Sequence, residues 1–332
     1  MTTRKTTPSY PWDDLESSNA PGKFTSRRVN GSDNPTDKPI FWARGWDGKP
    51  TLLVEYSCKY WAPVKIPAFK IMRIEDYRNE SCITLELLDT GFIDIFLKIC
   101  LDIIGALQRT DSVHAREMCL LRLERWCALL QPSHSMLSPE SQKGLIAELH
   151  FLQNDVIPRF SERDALEGWT GPSRAPKDFS YGQCFIEVKS KRGSSLTCIT
   201  VSSEEQLNVN DTEKLFLYVE ELNSAPTAFA EGFTLDDVVD DLREQIQSPI
   251  QQAFLDSELA SVGYFAEDDY ADYRWTLGDR SYYEVLSTFP KIGSRDCPPG
   301  VEHVSYQIDL DYCQDFEIDE SAFLKTLEQH SV

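Results

Sequence analysis

The chain has 332 residues, of which 41% are hydrophobic and 11% aromatic, a composition typical of a globular protein with a sizeable core. No apolar run reaches the roughly 18 residues that span a bilayer, and the N-terminus lacks the apolar centre of a signal peptide. The nine cysteines include no CxxC pair. We therefore expect a cytoplasmic protein with reduced thiols and without a membrane segment, a disulfide framework or a zinc ribbon.

The charge of the chain is unevenly distributed. The net charge of −21 is unfavourable for binding nucleic acid, but residues 231–332 alone hold 23 acidic and 6 basic side chains, which gives −17. Residues 159–192 hold 7 basic and 5 acidic side chains. The acidic end is therefore not the main DNA-binding surface. We expect it to dock a basic protein partner, to restrain access of DNA, or simply to keep the protein soluble.

Turn and periodicity signals divide the chain into five predicted segments. Residues 1–38, apart from PWDDL (11–15), are rich in Ser, Thr, Asn, Pro and Gly, whereas residues 41–57 form a predicted hairpin around Asp47-Gly48. Helical spacing of apolar residues follows over 91–108 and 112–131. The predicted segments are a flexible arm (1–38), a β-rich region (39–90), a helical connector (91–137), a core (138–230) and an acidic α/β C-terminal region (231–332).

The predicted core has a specific order of elements. Its first helix begins at Ser138-Pro139-Glu140, where an N-cap, a first-turn proline and an early acid coincide. The remaining predicted elements are strands at 177–181, 183–190 and 196–202, a short helix at 202–207 and a strand at 214–222. The order is thus helix, three strands, short helix and strand.

One hairpin of this core brings charged side chains together. In CFIEVKS (184–190) apolar residues alternate with Glu187 and Lys189, so these two share one face of the strand. The preceding strand carries Asp178, and the Val188 carbonyl is available beside it. Hard oxygen ligands of this kind suit Mg²⁺, with Mn²⁺ as a substitute, and a lysine beside the ion can orient or deprotonate a water. Burial and a neighbouring cation would lower the pKa of that lysine. Such a set suits phosphodiester hydrolysis.

The pattern Asp178, eight residues, Glu187, one residue, Lys189 resembles the signature of the PD-(D/E)XK nuclease superfamily, with one residue inserted after Pro176. The resemblance implies an α+β fold with a restriction-endonuclease-like αβββαβ core. It also implies an additional acid on the first core helix, matched by Glu148, and a polar residue after the third strand, matched by Gln206. In this reading Asp178, Glu187, Val188 and Glu148 hold the metal ion.

A narrower resemblance is to a bacterial family of PD-(D/E)XK motif proteins encoded near phage-defence and restriction genes. The segments that carry it, in chain order, are LERW (123–126), GLIAELHFL (144–152), GWTGP (168–172), KDF (177–179), IEVKS (186–190) and SSEEQL (202–207). It implies a Mg²⁺-dependent DNA endonuclease, the nuclease component of a defence or restriction system. The alternative is a non-catalytic interaction subunit that keeps the nuclease fold. The chain has no Walker A loop, GxGxxG or GxSxG motif, which argues against a motor or a serine hydrolase.

Each candidate residue also has a purely structural interpretation. Asp178, Glu187 and Lys189 could form a surface ion-pair set, and Glu148 or Gln206 could be solvated helix residues. Trp169 and Gly171-Pro172 are interpreted as a core anchor and a turn. The candidate phosphate contacts, which could equally be solvated, are Arg174, Lys177, Lys191 and Arg192. Partners predicted from the whole chain are DNA, proteins of a multi-subunit defence system and a second copy of the chain, because cutting both strands usually needs two sites.

Overall fold

The computed structural model describes residues 10–29, 39–57, 66–131, 135–193, 197–208, 210, 212–226 and 231–330. The chain divides into two units, Met1–His134 and Ser135–Val332. The predicted β-rich region and most of the helical connector lie in the first unit, and the predicted core and C-terminal region lie in the second. No helix in the described ranges is long and apolar enough to cross a membrane.

The first unit contains a five-stranded antiparallel sheet and two helices. Its strand order is β1-β2-β3-β5-β4, and the predicted turn joins β2 to β3, with Gly48 in the left-handed region at φ 76°. The elements are β1 (Thr25–Arg28), β2 (Ile40–Arg44), β3 (Pro50–Glu55), β4 (Met72–Tyr77), β5 (Cys82–Leu87), α1 (Ile93–Gln108) and α2 (Ala115–Leu129).

The expectation of a flexible arm, from which PWDDL (11–15) is excepted, is wrong for residues 25–28, which form β1. Trp12 is fully buried, stacks on Phe96 with ring centroids 5.3 Å apart, and donates its indole N–H to the Thr51 carbonyl (2.8 Å). The strand β1 pairs with β2. Burial of Trp12 holds the excepted PWDDL segment on the unit, whereas backbone pairing with β2 holds residues 25–28. Residues 1–9 and 30–38 lie outside the described residues.

The second unit carries the predicted core. Its main sheet has the order β12-β10-β9-β7-β6, in which only the pair β7 and β9 is parallel. The elements are α3 (Pro139–Phe151), α4 (Glu162–Glu167), β6 (Phe179–Tyr181), β7 (Cys184–Lys191), β8 (Cys198–Val201), β9 (Lys214–Ala225), α5 (Leu235–Gln245), α6 (Pro249–Ser261), β10 (Arg274–Glu284), β11 (Tyr306–Asp309), β12 (Glu317–Ile318) and α7 (Glu320–His330).

The helix α3 begins where its sequence predicts. The Ser138 hydroxyl accepts the Ser141 N–H (3.2 Å), and Pro139 occupies the first turn. The helix continues into one π-helical turn over Leu152–Val156 before the chain turns away. Its apolar face shares a core with Ile186 and Val188 of β7. Alternation along β7 therefore directs Glu187 and Lys189 to the opposite face of the sheet.

Two details of the predicted core differ in the structure. The segment predicted as a short helix, 202–207, is a turn that ends at Leu207, whose side chain is fully buried. The third strand, β8, pairs with β11 in a separate two-stranded sheet. Both differences arise from contacts with residues about a hundred positions away, which local patterns do not encode.

The acidic C-terminal region is an integral part of this unit. Strand β10 pairs with β9, and β11 pairs with β8. At the start of α5, Thr234 and Asp237 form a reciprocal capping box, and Asp236 accepts the Tyr264 hydroxyl (2.7 Å). Acids in a first turn also interact favourably with the helix dipole. Several of the acidic side chains therefore stabilise the unit that carries them.

Candidate active site

The hairpin register places Asp178 opposite Glu187. Phe179 pairs with Ile186, so the next position along the hairpin matches Asp178 with Glu187, on the same face of the sheet. Asp178 Oδ2 accepts the backbone N–H of Val188 (2.8 Å). The Asp178 carbonyl in turn accepts the N–H groups of Thr170 (2.8 Å) and Gly171 (2.9 Å). Asp178 is thus held between β7 and the preceding loop.

Glu187 is a fully buried acid with only one of its oxygens engaged. Its side chain is 0% exposed, and Oε1 accepts the ammonium of Lys189 at 2.5 Å. The second oxygen, Oε2, has no hydrogen-bond partner within the described part of the chain. A buried carboxylate oxygen without a partner is costly, so this atom needs a ligand that the fold itself does not supply.

Glu148 reaches the same site from α3. Its Oε2 accepts the indole N–H of Trp169 (2.8 Å), and Trp169 is 2% exposed. A Cβ added at Gly171 would lie 2.9 Å from Glu148 Oε2 and 3.5 Å from Asp178 Oδ1. The bare Cα of Gly171 therefore lies beside two carboxylates from different elements and leaves space where they meet.

Crowding of acids raises the pKa of each carboxyl group. Burial and then the charge of Asp178 raise the pKa of Glu148 to about 8. Burial, with a further contribution from Asp178, raises the pKa of Glu187 well above its ordinary value. Burial raises the pKa of Asp178 as well, although Lys189 and the Val188 N–H oppose the rise. Three acids that resist ionisation together form a site suited to a bound cation.

Lys189 differs from the expectation that its pKa would be lowered. Burial does lower the pKa of Lys189, but the surrounding carboxylates, led by Glu187, outweigh burial and hold it above its ordinary value. In this arrangement the lysine is a charged hydrogen-bond donor. Its capacity to give up a proton depends on a cation taking over the charge of the neighbouring acids.

The oxygen donors around Glu187 fit a hard divalent cation. No group of three or more His, Cys, Asp or Glu side chains in the described ranges is arranged to hold a metal ion. Mg²⁺ requires fewer side-chain ligands, because it is bound through one or two carboxylates and keeps several waters. The unpartnered Glu187 Oε2, Asp178 and the Val188 carbonyl provide such donors. The pairing of β7 with β6 ends at Ile186, and the Val188 N–H donates to Asp178 on that edge of β7. The Val188 carbonyl points to the same edge, where no strand of the described ranges pairs with it.

The family model described as "Putative PD-(D/E)XK family member, (DUF4420)" matches residues 9–311. The chain belongs to this family. Its second unit has a nuclease-like, α+β fold of the PD-(D/E)XK type, and members of this group typically use divalent metal ions. No match was found among curated proteins or among solved structures.

The PD-(D/E)XK signature residues and Gln206 take different places in the structure. Asp178, Glu187, Lys189 and Glu148 come together, whereas Gln206 Oε1 accepts the Ser202 N–H (2.7 Å) and closes a local turn. No hydrogen bond joins Gln206 to those four residues in the described ranges. Its assignment to the site stays a prediction.

The four candidate phosphate contacts are in varied environments. Lys191 pairs with Glu221 (3.0 Å), and Arg192 lies 3.7 Å from Glu140. Lys177 donates its ammonium to the Glu205 carbonyl (2.8 Å). Arg174, in the left-handed region at φ 60°, is exposed and has no ion pair among the described residues. Of the four, Arg174 is the cation most available to a substrate.

Sequence patterns alone missed two residues of the site. Trp169 is a core anchor, as predicted, but its indole N–H also holds Glu148. Gly171 lies in a turn, as predicted, but its missing Cβ leaves room between Glu148 and Asp178. The signal that could have found them is the GWTGP segment, which has a donor side chain and a glycine in the loop leading to Asp178.

Proposed function

We propose that this protein is a Mg²⁺-dependent DNA endonuclease that hydrolyses phosphodiester bonds. The observation that carries the proposal is the fully buried Glu187, whose Oε2 lacks a partner beside Asp178 and Lys189 in the described ranges. Structural ion pairs normally satisfy both carboxylate oxygens, because a partly paired buried charge destabilises the fold. The unpartnered oxygen of Glu187 destabilises the fold, so binding of a ligand explains this arrangement better than a structural role does.

The chain's residues have distinct roles in this proposal. Asp178, Glu187 and the Val188 carbonyl would hold Mg²⁺, with Mn²⁺ as a substitute, and Glu148 would bind it directly or through water. When bound, the ion supplies positive charge that stabilises the developing charge on a phosphate oxygen. The Lys189 ammonium orients the attacking water and donates to it or to the phosphate. The Trp169 indole holds Glu148 in place.

The cellular setting and the partners are part of the same proposal. The family membership supports the nuclease part of the proposal, and the resemblance described above implies that the protein is the nuclease component of a bacterial anti-phage defence or restriction system, in the cytoplasm. The −17 charge of residues 231–332 favours a basic protein partner. A homodimer would supply the two sites needed to cut both strands of a duplex.

The test is incubation of the purified full-length protein with supercoiled plasmid and Mg²⁺ or Mn²⁺, with EDTA as the metal-free reaction. We expect nicked and linear products that disappear with EDTA and with Asp178→Asn. Asp315→Asn, an exposed acid with no contact to the site in the described ranges, is the matched control and should cut normally. Metal binding should be measured by calorimetry on the same proteins.

The alternative is a non-catalytic interaction subunit with a nuclease fold. The observation that favours it is the Lys189–Glu187 ion pair, because the lysine engages an oxygen that a metal ion would use. Binding of Mg²⁺ or Mn²⁺ that requires Asp178 supports the enzyme, provided that cleavage accompanies it. If no cleavage is observed, with or without partner proteins, the result would support the non-catalytic interaction subunit.

A further inference from the structure

A cleft of about 660 Å³ lies in the second unit, with three segments of the chain as its walls. One wall is the loop Arg174–Pro176, which leads to Asp178. The second wall is the turn after β8, with Glu205 and Gln206, and the third is the C-terminal segment from Ser294 to His303. Its volume lies within the range of small-molecule sites, which is about 300–1,000 Å³, and exceeds that of one nucleobase.

Hydrogen bonds fix the C-terminal wall to the nuclease core. The carboxylate of Glu204 accepts the backbone N–H groups of His303 (3.2 Å) and Val304 (2.7 Å). The Ser294 hydroxyl donates to the Glu205 carboxylate and accepts from Asn208 (3.3 Å). The cleft is therefore a preformed feature between two parts of the chain.

The cleft lies close to the proposed reaction centre. Pro176 is two residues before Asp178, so their Cα atoms lie within about 7 Å of each other. Between them, Lys177 donates its ammonium to the carbonyl of Glu205, a residue of the second wall. A nucleotide next to a phosphate bound at Asp178 is therefore within reach of Pro176 on the first wall of the cleft.

The lining of the cleft suits a base rather than a phosphate. It holds one basic side chain, Arg174, against three acids, and this balance repels a second phosphate. Glu302 is exposed at the rim and has no hydrogen bond or ion pair in the described ranges. Its carboxylate is a pure acceptor, which matches the amino groups of bases. Pro176, Pro298 and Pro299 provide apolar surface for the flat faces of a base.

We propose that this cleft binds one unstacked nucleobase next to the cleaved phosphate and prefers a base with an exocyclic amino group. The proposal rests on the proposed nuclease function for its placement, and Glu302 is the residue that selects the base. A base enters such a cleft only when it is unpaired, so the substrate is single-stranded or locally opened DNA. The acidic C-terminal region would then contribute to substrate choice.

The test compares oligo-dC with oligo-dU of equal length, because cytosine carries an amino group where uracil carries a carbonyl. Binding to the full-length Asp178→Asn protein is measured by fluorescence anisotropy at fixed salt, so that cleavage does not interfere. We expect oligo-dC to bind at least about fivefold tighter, as one good acceptor–amino contact allows. Adding Glu302→Gln should bring the ratio close to one.

The control is Glu244→Gln, which removes an exposed acid of α5 that does not line the cleft and should leave the ratio unchanged. Equal binding of both oligonucleotides, no binding of either, or a ratio insensitive to Glu302→Gln would overturn the proposal. So would Glu302-dependent binding of an oligo-arginine peptide without base discrimination, which would assign the cleft to a basic protein segment.

The outcomes separate this proposal from the nuclease itself. Metal-dependent plasmid cleavage without a Glu302-dependent base preference would refute nucleobase binding in the cleft but not the nuclease function. A base preference that requires Glu302, in a protein that never cuts DNA, would support nucleobase binding in the cleft and refute the hydrolytic activity.

Discussion

The Lys189 ammonium lies 2.5 Å from Glu187 Oε1, while Oε2 of the same buried carboxylate has no partner in the described part of the chain. This relationship links three properties of the site. The lysine partly compensates one acid, the remaining oxygen is available to a cation, and a cation that binds there must share Glu187 with the lysine. Substitutions of Lys189 and of Glu187 should therefore change cleavage activity, metal affinity and pH dependence in different ways.

Glu187→Gln and Asp178→Asn should each reduce metal-dependent cleavage by about a hundredfold or more, since loss of a ligand costs at least as much as loss of its supporting shell. Neither variant should be less stable than the wild type without metal, because each removes one charge from a crowded acidic site. Plasmid assays and thermal unfolding in EDTA check both. Wild-type cleavage by either variant would remove that residue from the metal site.

Lys189→Ala should reduce cleavage strongly but leave Mg²⁺ binding equal or tighter, because the metal no longer shares Glu187 with an ammonium. Lys189→Arg should not restore the rate, since the guanidinium is larger and does not give up a proton. Calorimetry and single-turnover cleavage separate the two effects. A near-normal rate in the arginine variant would instead indicate a simple phosphate contact.

Glu148→Gln should stabilise the metal-free protein at pH 8 and have little effect near pH 4. The pKa of Glu148 is about 8 in the fold and about 4.5 in the unfolded chain, so the folded state holds the proton longer. The wild type therefore loses stability as the pH rises from about 4.5 to about 8, whereas the glutamine variant has no such carboxyl group and does not. We expect a difference above about 1 kcal/mol at pH 8, since one pKa unit corresponds to about 1.4 kcal/mol.

The measurement is denaturant unfolding in EDTA at several pH values, monitored by a probe in the second unit. Glu244→Gln serves as the control, because this acid is exposed on α5 and has no hydrogen bond or ion pair to Glu148, Asp178 or Glu187 in the described ranges. A difference between wild type and Glu148→Gln that does not change with pH would contradict the raised pKa.

Metal binding should tighten with pH and release protons. Raised carboxyl pKa values mean that protons occupy the acids before the cation does, so Mg²⁺ or Mn²⁺ must displace them. Affinity should rise by up to about tenfold per pH unit for each proton released. Calorimetry in buffers with different ionisation enthalpies counts those protons. Affinity that is constant between pH 6 and pH 8 would show that the acids are already ionised.

Gly171→Ala should displace Glu148 and lower cleavage by about tenfold, comparable to the loss of a supporting residue. The new Cβ would lie 2.9 Å from Glu148 Oε2, which the Trp169 indole holds in place. A change in tryptophan fluorescence should accompany the loss.

Gly144→Ala is the matched control for that substitution. Gly144 lies on α3, and a Cβ added there would meet open space, so alanine should stabilise the helix by about 0.5–1 kcal/mol and preserve activity. Equal activity in both alanine variants would mean that the space beside Gly171 has no role in the site.

Local physical chemistry explains why some features of the site could be predicted from the sequence. Alternation along CFIEVKS predicted that Glu187 and Lys189 share one face, where the structure pairs them, and the hairpin brought Asp178 alongside, where its carboxylate accepts the Val188 N–H. The cap and proline at Ser138-Pro139 predicted the start of the helix that carries Glu148. These features depend on neighbours within one or two turns or on a single tight hairpin.

Sequence patterns did not predict the remaining contacts of the site, because these join residues that are distant in the chain. The Trp169 indole reaches Glu148 across 21 positions, and Lys191 is paired with Glu221 across 30. The C-terminal wall of the cleft is held through Glu204 and Val304, which are 100 positions apart. Net charge predicted that this acidic region would avoid the DNA-binding side, but charge specifies neither strand pairing nor backbone hydrogen bonds. Those long-range contacts place part of the region beside the proposed reaction centre.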